Sequence, residues 1–321
     1  MRLAVAATPE VALPTLHWLQ TSEHDLVRVI SQPDKPSGRG QGLHASPVSK
    51  WAIANSIDLV RPTNVEEIDA AIADVDLLIT IGYGRILPSA TISIPKFGCI
   101  NLHFSLLPKY RGAAPVQRAI EAGETQSGVT VFALDPGMDT GPIYTSIATP
   151  IEPAMRSFEL LYKLSHVGVD ALKQALAEIE KGTTPTPQTG ESSLAAKITR
   201  DEAQLNWISP AHSLFNKIRA FYPQPQAWTV HSLFNKIRAF YPQPQAWTVF
   251  RGQPLKISSA RVSDIVPDLQ PGELRVVGSD CVIGTLETAI VLERVTPAGK
   301  KEMSALDWSR GARFEDAERC G

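Results

Sequence analysis

The alternation of short apolar runs with helical patterns in the first half of the chain constrains its fold more than any other feature. The helical patterns occupy residues 10–20 and 46–56, and the second begins with Ser46 followed by Pro47, a common start signal. Strands that alternate with helices predict an α/β fold with a Rossmann-like, mostly parallel sheet and right-handed crossovers. The apolar runs typical of buried strands are residues 2–7, 26–31, 76–81, 98–103 and 128–134.

The second half of the chain has a different pattern. A long amphipathic helix is predicted over residues 158–181, and a stretch rich in Thr, Pro, Gly and Ser follows at 182–194. We divide the chain into a first domain at 1–189, a linker at 190–206 and a second domain at 207–321. The second domain is expected to be a small β-rich barrel. Its predicted strands are residues 254–259, 273–277, 282–286 and 289–293.

An internal repeat lies in the second domain. Residues 212–230 read HSLFNKIRAFYPQPQAWTV, and residues 231–249 read the same. Repeat folds usually need at least three diverged units, so two identical copies indicate a tandem duplication rather than a solenoid. We expect one copy to occupy the native helix-and-strand position and the other to bulge, which would expose Phe and Trp and lower solubility. A doubled binding element is the alternative interpretation.

Composition excludes several classes of protein. The chain has 321 residues, 43% of them hydrophobic and 20% charged, which is typical of a globular protein of about two domains. Three widely spaced cysteines argue against a disulfide framework or a zinc site. No apolar run in the sequence approaches the ~18 residues of a membrane span, and the first residues are typical of a strand rather than a signal peptide. We expect a cytoplasmic protein without membrane contact.

Polar side chains mark the end of one predicted strand. Asn101 and His103 lie two residues apart, so both point to the same face, at the strand end where α/β sheets bind ligands. The next strand leads into a glycine-rich turn that carries Asp135 and Asp139. Spacing alone leaves a structural histidine and ordinary turn chemistry as the commoner interpretations. The paired Asn and His favour a functional site without excluding that alternative.

Two long motifs suggest what these residues do. The segments NLHFSLLPKYRGAAPVQ and GVTVFALDPGMDTGP resemble the folate-dependent formyltransferase family. In that family an Asn-x-His pair, an SLLP loop and a later Asp-Thr-Gly turn build the site. The resemblance implies that Asn101 donates to an oxyanion, that His103 donates to it or shuttles a proton, and that Asp139 orients His103 or a water. Asp135 is interpreted as structural.

The resemblance also implies a folate co-substrate and a pocket for it. The expected donor is 10-formyltetrahydrofolate, and no metal is implied. For the turn that follows the third predicted strand, a strand-to-helix connection is the structural interpretation, and it is compatible with folate binding. The folate-binding positions in the SLLP loop and in this turn are Ser105, Leu106, Leu107, Pro108, Gly82, Tyr83, Ile86 and Leu87.

Further segments resemble the members of the family that formylate methionyl initiator tRNA for translation initiation. Residues 32–50, QPDKPSGRGQGLHASPVSK, resemble their basic loop. IRAFYPQPQAW, GQPLKI and PAGKKEMSALD resemble their C-terminal OB-like tRNA-binding domain. The implied acceptor is the amino group of methionyl initiator tRNA, bound by an enzyme that we expect to be a monomer. The expected tRNA contacts are Lys35, Arg39, Lys50, Lys300 and Lys301.

Charge alone gives modest support for RNA binding. Lys35, Arg39 and Lys50 oppose only Asp34 in their segment, and residues 206–321 hold 14 Lys and Arg against 11 Asp and Glu. A solvated basic face explains these charges equally well. Two other functions stay open. One is formyl transfer to a small amine, such as a sugar nucleotide or purine precursor, and the other is a tRNA- or folate-binding protein inactivated by the duplication.

Overall fold

The structure is a computed structural model that describes residues 1–37, 42–222, 245–263 and 268–321, without the side chains of 35–37 and 42–43. The strands of its first domain are β1 (Arg2–Ala7), β2 (Asp25–Ile30), β3 (Lys35–Ser37), β4 (Gly42–His44), β5 (Asp58–Val60), β6 (Leu77–Ile81), β7 (Cys99–His103), β8 (Gln126–Ala133) and β9 (Ile143–Pro150). Seven of them form one sheet in the order β5-β2-β1-β6-β7-β8-β9. The first five are parallel, whereas β8 and β9 are antiparallel to their neighbours. The predicted mostly parallel, Rossmann-like sheet is confirmed.

Helices pack on both faces of this sheet. They are α1 (Leu13–Gln20), α2 (Pro47–Ala54), α3 (Val65–Ile72), α4 (Ser89–Ile92), α5 (Pro115–Glu121) and α6 (Ser157–Glu180), with α7 (Ala211–Ala220) and α8 (Ala305–Ala312) in the second domain. Leu3 and Val5 of β1 pack in one cluster with α1 and α6, while Ala4 and Ala6 pack in another with α3. Burial of both faces explains why β1 reads as a continuous apolar run. None of the described helices is long and apolar enough to cross a membrane.

Local signals explain two helix starts. The Ser46 hydroxyl accepts a hydrogen bond from the backbone N–H of Ser49 at 2.9 Å, and Pro47 is the first residue of α2, as predicted. The helix predicted from residue 10 instead begins with a 3-10 turn over Glu10–Ala12. Pro14 lies in the first turn of α1, where its missing N–H costs no helical hydrogen bond, so α1 starts just before it.

The stretch rich in Thr, Pro, Gly and Ser, together with the start of the predicted linker, lies along the first domain. Thr186 and Ile143 exchange two backbone hydrogen bonds, of 2.7 and 2.9 Å. Further on, the N–H of Arg111 donates to Ser193 at 2.9 Å, and the N–H of Ala195 donates to Arg111 at 2.6 Å. These backbone pairs fix the segment against the start of β9 and against the loop that follows β7. The domain boundaries themselves stay a prediction.

The second domain is an antiparallel sheet closed by the end of the chain. Its strands are β10 (Trp247–Phe250), β11 (Gln253–Val262), β12 (Leu274–Val277), β13 (Asp280–Gly284), β14 (Ala289–Pro297) and β15 (Met303–Ser304). The order is β10-β11-β14-β13-β12, with β15 paired to β14. Cys320 bridges to Phe250 beside one edge strand, and Arg319 bridges to Glu273 beside the other. Because the tail joins both edges, the sheet curls into a small barrel, as predicted.

Within the described residues, each copy of the duplicated segment contributes to one element. Helix α7 lies in the first copy, whereas β10 lies in the second and leads directly into its antiparallel partner β11. In the described residues the helix thus comes from the first copy and the strand from the second, and the expectation that one copy packs while the other bulges stays a prediction. Residues 223–244, and with them the predicted exposure of Phe and Trp, lie outside the described residues. Phe221, just after α7, is fully buried in the core of the first domain.

Candidate active site

His103 is the last residue of β7, and both of its ring nitrogens face polar atoms. Its residue surface is only 6% exposed. Nε2 lies 2.9 Å from the carbonyl oxygen of Tyr110, which can only accept, so in the neutral ring Nε2 carries the proton. Nδ1 lies 3.7 Å from Oδ2 of Asp139, a distance for an ion pair rather than a hydrogen bond. The backbone thus leaves Nδ1 as the nitrogen that can take up a proton.

Asp139 lies in the turn between β8 and β9, with a left-handed φ of +52°. Its Oδ2 accepts the backbone N–H of Gly112 at 2.7 Å, which holds the carboxylate between the loop after β7 and His103. Asp135 has a different role, because it accepts the N–H of Gly137 at 3.0 Å and the hydroxyl of Thr140 at 2.7 Å within its own turn. These bonds fit the structural role that the sequence predicts for Asp135.

Asn101 is oriented by the neighbouring strand. Thr80 on β6 stands opposite Asn101 in the parallel register, and its hydroxyl donates to Oδ1 of Asn101 at 2.8 Å. This bond engages the amide oxygen, so the amide NH₂ is the group that can donate to a substrate atom. Sequence reasoning missed Thr80. The available signal was a hydroxyl within the otherwise apolar run LLITI.

The SLLP loop is held from inside by the sheet. The hydroxyl of Thr130 on β8 donates to the carbonyl of Ser105 at 2.7 Å and accepts the N–H of Leu107 at 3.2 Å. The Ser105 hydroxyl donates to the carbonyl of Lys109 at 2.7 Å. Ser105 and Leu107 are both buried. The conformation of the loop is therefore fixed by hydrogen bonds to buried groups, and Ser105 and Leu107 support it from the interior.

Gly112 continues this loop in a conformation that requires glycine. Its φ is +118°, and a Cβ atom there would lie 2.9 Å from the carbonyl oxygen of Ala195. The close approach of residues 193–195 to this loop therefore depends on the missing side chain. It also places the N–H of Gly112 against Asp139.

The predicted folate-binding side chains in the turn after β6 differ in exposure. Ile86 is 80% exposed, although it is large and apolar, so it is available for contact. Tyr83 and Leu87 are buried in the core cluster that includes β1 and α3. Burial raises the pKa of Tyr83, and its hydroxyl has no hydrogen-bond partner within the described part of the chain. Gly82 adopts a φ of +55° and connects β6 to this turn.

The predicted tRNA-binding residues are distributed over both domains. The basic loop forms the hairpin β3–β4, with residues 38–41, including Arg39, outside the described residues, and the side chain of Lys35 is likewise not described. Lys50 lies on α2. Arg61, which sequence reasoning missed, pairs with Asp34 at 3.2 Å and so neutralises the one acidic residue of the loop. The remaining candidates, Lys300 and Lys301, are exposed between β14 and β15.

Family profiles match both domains. The formyl transferase profile matches residues 1–176, and the profile of the formyl transferase C-terminal domain matches residues 197–233 and 229–313. The two pieces of the second match meet within the duplication. The chain therefore belongs to the formyl transferase family.

Curated relatives specify the branch of this family. The methionyl-tRNA formyltransferase of Salinispora tropica is 40% identical over 326 residues and covers 99% of both chains. That of Paenarthrobacter aurescens is 39% identical over 315 residues and covers 97% of both chains. By sequence, the chain groups with methionyl-tRNA formyltransferases.

Solved structures share the fold at lower identity. An N-formyltransferase from Helicobacter canadensis matches with a TM-score of 0.63 and 20% identity, over 91% of this chain and 98% of that one. A methionyl-tRNA formyltransferase from Clostridium thermocellum matches with a TM-score of 0.56 and 14% identity, over 82% and 94%. At these identities the likeness concerns the architecture of the two domains.

Proposed function

We propose that this chain transfers the formyl group of 10-formyltetrahydrofolate to the α-amino group of methionyl initiator tRNA, for translation initiation. The observation that carries the chemistry is the setting of His103, with Nε2 at 2.9 Å from a carbonyl and Nδ1 facing a carboxylate. The acceptor is inferred from the similarity over nearly the whole chain to methionyl-tRNA formyltransferases.

Asn101 is proposed to stabilise the oxyanion. The amine attacks the formyl carbon, a C–N bond forms, and the formyl oxygen gains negative charge. The amide NH₂ of Asn101 donates to that oxygen, while Thr80 keeps the amide oxygen turned away. A fixed donor of this kind is typically worth ~10²–10³ in rate, because it needs no reorganisation when the charge develops.

His103 and Asp139 are proposed to move the proton. Nδ1 of His103 takes the proton that the attacking amine releases, and Asp139 Oδ2, at 3.7 Å, stabilises the imidazolium. When the bond between the formyl carbon and N10 breaks, His103 returns the proton to N10 of the departing tetrahydrofolate. The reaction balances without a covalent intermediate on the protein.

The two substrates are proposed to approach from different elements. We assign the folate to the turn after β6 and to the SLLP loop, where exposed Ile86 offers an apolar surface. The tRNA is assigned to the hairpin β3–β4, to α2 and to the barrel, through Lys35, Arg39, Lys50, Lys300 and Lys301. We further propose that the enzyme acts as a monomer in the cytoplasm.

A product assay with competing acceptors tests this function. Purified chain is mixed with 10-formyltetrahydrofolate and methionyl initiator tRNA, and the esterified amino acid is released and analysed. We expect formylmethionine. Turnover only on an amino sugar nucleotide or a purine-precursor amine would instead support the small-amine alternative. Binding of tRNA or folate without any turnover would support the inactivated binding protein.

A further inference from the structure

Gln188, in the extended segment after α6, uses its whole side-chain amide in hydrogen bonds. Its Oε1 accepts from Nε of Arg111 at 3.2 Å and from Nη2 of Arg111 at 2.7 Å. Its Nε2 donates to the carbonyl of Asp139 at 2.9 Å and to the carbonyl of Gly141 at 2.8 Å. An amide NH₂ has two protons to donate, and both are engaged.

These four bonds join the two segments that surround His103. Tyr110, whose carbonyl faces Nε2 of His103, immediately precedes Arg111. Asp139, whose carboxylate faces Nδ1, belongs to the turn that Gln188 binds from the other side. Gln188 therefore connects the backbone around both groups that hold the imidazole, without touching the imidazole itself.

The position of Gln188 is fixed by the backbone on both sides of it. Thr186 pairs with Ile143 beyond the Asp139 turn. On the other side, the hydroxyl of Ser193 accepts the N–H of Tyr110 at 2.9 Å, and the Ala195 carbonyl accepts the N–H of Ala114 at 3.1 Å. The side chain thus acts from an anchored segment and can transmit its position to the site.

We propose that Gln188 is a positioning residue for formyl transfer, which sets the placement of the Asp139 turn against the Tyr110–Gly112 loop and hence against His103. This inference rests on the proposed function. It also makes the extended segment that follows α6 part of the active-site support. Glutamine suits the position because one side must accept from a guanidinium while the other must donate to two carbonyls.

Two substitutions distinguish the role of the Gln188 amide oxygen from that of its NH₂ group. Gln188→Ala removes all four bonds, whereas Gln188→Glu keeps the acceptors for Arg111 and places a carboxylate oxygen against two carbonyls. We expect both to lower kcat about 10-fold to 100-fold, because small displacements of catalytic groups have effects of this size. The KM for 10-formyltetrahydrofolate should change less than about threefold. Gln204→Ala, at an exposed position further along the same segment, is the control and should keep wild-type kcat.

A double-substitution cycle distinguishes positioning from a general structural effect. If Gln188 acts through Asp139, Gln188→Ala should cost little further activity in a chain that already carries Asp139→Ala. Independent, multiplying effects of the two substitutions would overturn the proposal. So would a wild-type kcat in the folded Gln188→Ala variant.

A spectroscopic measurement separates this inference from the proposed function. The imidazole resonances of His103 are recorded by NMR in histidine-labelled protein and assigned by their loss in His103→Ala. They should shift in Gln188→Ala and stay unchanged in Gln204→Ala, whether or not the chain turns over the tested acceptor. Unchanged His103 resonances in Gln188→Ala would overturn the positioning role. If the resonances shift as predicted but the parent chain does not turn over the tested acceptor, the result counts only against the proposed function.

Discussion

The carbonyl of Tyr110 determines which nitrogen of His103 is available for the proposed proton transfer. A carbonyl only accepts, so the hydrogen bond at Nε2 leaves Nδ1 to exchange protons next to Asp139. The Tyr110 side chain is engaged elsewhere, since its hydroxyl donates to Glu124 at 2.9 Å. Burial, together with that carboxylate, raises the pKa of Tyr110, so its hydroxyl remains protonated at neutral pH. The tyrosine thus orients His103 through its backbone carbonyl and anchors the loop through its side chain.

The roles of Asn101 and Thr80 predict a graded loss of activity. Asn101→Ala removes the proposed oxyanion donor and should lower kcat by ~10²–10³. Thr80→Val removes only the bond that orients the amide, so a smaller loss of about 3–10-fold is expected. Steady-state kinetics at saturating donor measure both. A Thr80→Val loss as large as that of Asn101→Ala, or a near-normal Asn101→Ala, would contradict these roles.

The three cysteines predict a loss of stability at alkaline pH. Cys99, Cys281 and Cys320 are free and buried, and burial raises the pKa of each thiol from 9.0 to about 12. Above pH 9 the unfolded chain releases these protons while the folded chain keeps them, so the free energy of unfolding falls as pH rises from about 9 toward 12. Each thiol contributes a slope of about 1.4 kcal/mol per pH unit, and below about pH 9 this contribution is constant.

Denaturant titrations at several pH values between 8 and 11 measure this slope. Cys281→Ala should give a shallower slope above pH 9 than the parent chain, even if its stability at pH 8 is lower. A slope that is identical in both chains would show that the thiol is not held protonated by the fold.

At the level of elements, the sequence predicted structure well where the cause is local. Residues 2–7 alternate between two buried faces, and the Ser46-Pro47 start is a local capping signal, so both elements were found near their observed bounds. Thr80 and Gln188 were missed because each acts on a residue distant in sequence. Their roles depend on the register of β6 and β7 and on the path of the segment after α6, which no local pattern encodes.

The candidate site was predictable to a similar extent. The motifs pointed to Asn101, His103 and Asp139, and the structure places all three around one strand end and one turn. The buried setting of Tyr83 and Leu87 could not be read from the motif, since it follows from packing against α3. The close contact at Gly112 could not be predicted from the sequence either, because the partner carbonyl belongs to Ala195, which is distant along the chain.

The loop after β7 predicts a specific effect of adding one methyl group. Gly112→Ala would strain a φ of +118° and place Cβ at 2.9 Å from the Ala195 carbonyl, so it should cost about 1–3 kcal/mol of stability. It should also lower kcat, because the N–H of Gly112 holds Asp139. Gly299→Ala is the matched control, with a φ of +71° but no atom within 4 Å. Equal kcat and equal thermal stability in the two variants would refute the close approach.

For the whole molecule, the duplication changes the number of residues between α7 and β10. Helix α7 ends at Ala220 and β10 begins at Trp247, and residues 223–244 between the described parts number 22. A single copy would leave only three residues, Pro-Gln-Pro, at that place. Helix α7, which packs against α5, and strand β10, which pairs with β11, have the same sequence with one copy or with two. We therefore expect both described elements to be kept when one copy is removed.

Deletion of residues 231–249 is predicted to stabilise the protein. The expectation that one copy bulges implies a gain in stability on deletion, because loop-closure entropy grows with the logarithm of length: three residues in place of 22 should raise the free energy of unfolding by about 2 kcal/mol. Affinity for initiator tRNA should rise as well, because the connection lies in the domain assigned to tRNA. Denaturant unfolding and filter binding measure the two effects. If the deletion variant and the parent chain agreed in both, the duplication would be without consequence.

The most direct test of the account is the rate of formylmethionyl-tRNA formation in a single turnover, compared between the parent chain and His103→Ala. We predict product with the parent chain and a rate lower by ~10²–10⁴ in the variant, with unchanged thermal unfolding and donor binding. His166→Ala, an exposed histidine on α6, should behave as the parent chain does. A folded His103→Ala variant with full activity would contradict the central claim that this imidazole moves the proton in formyl transfer.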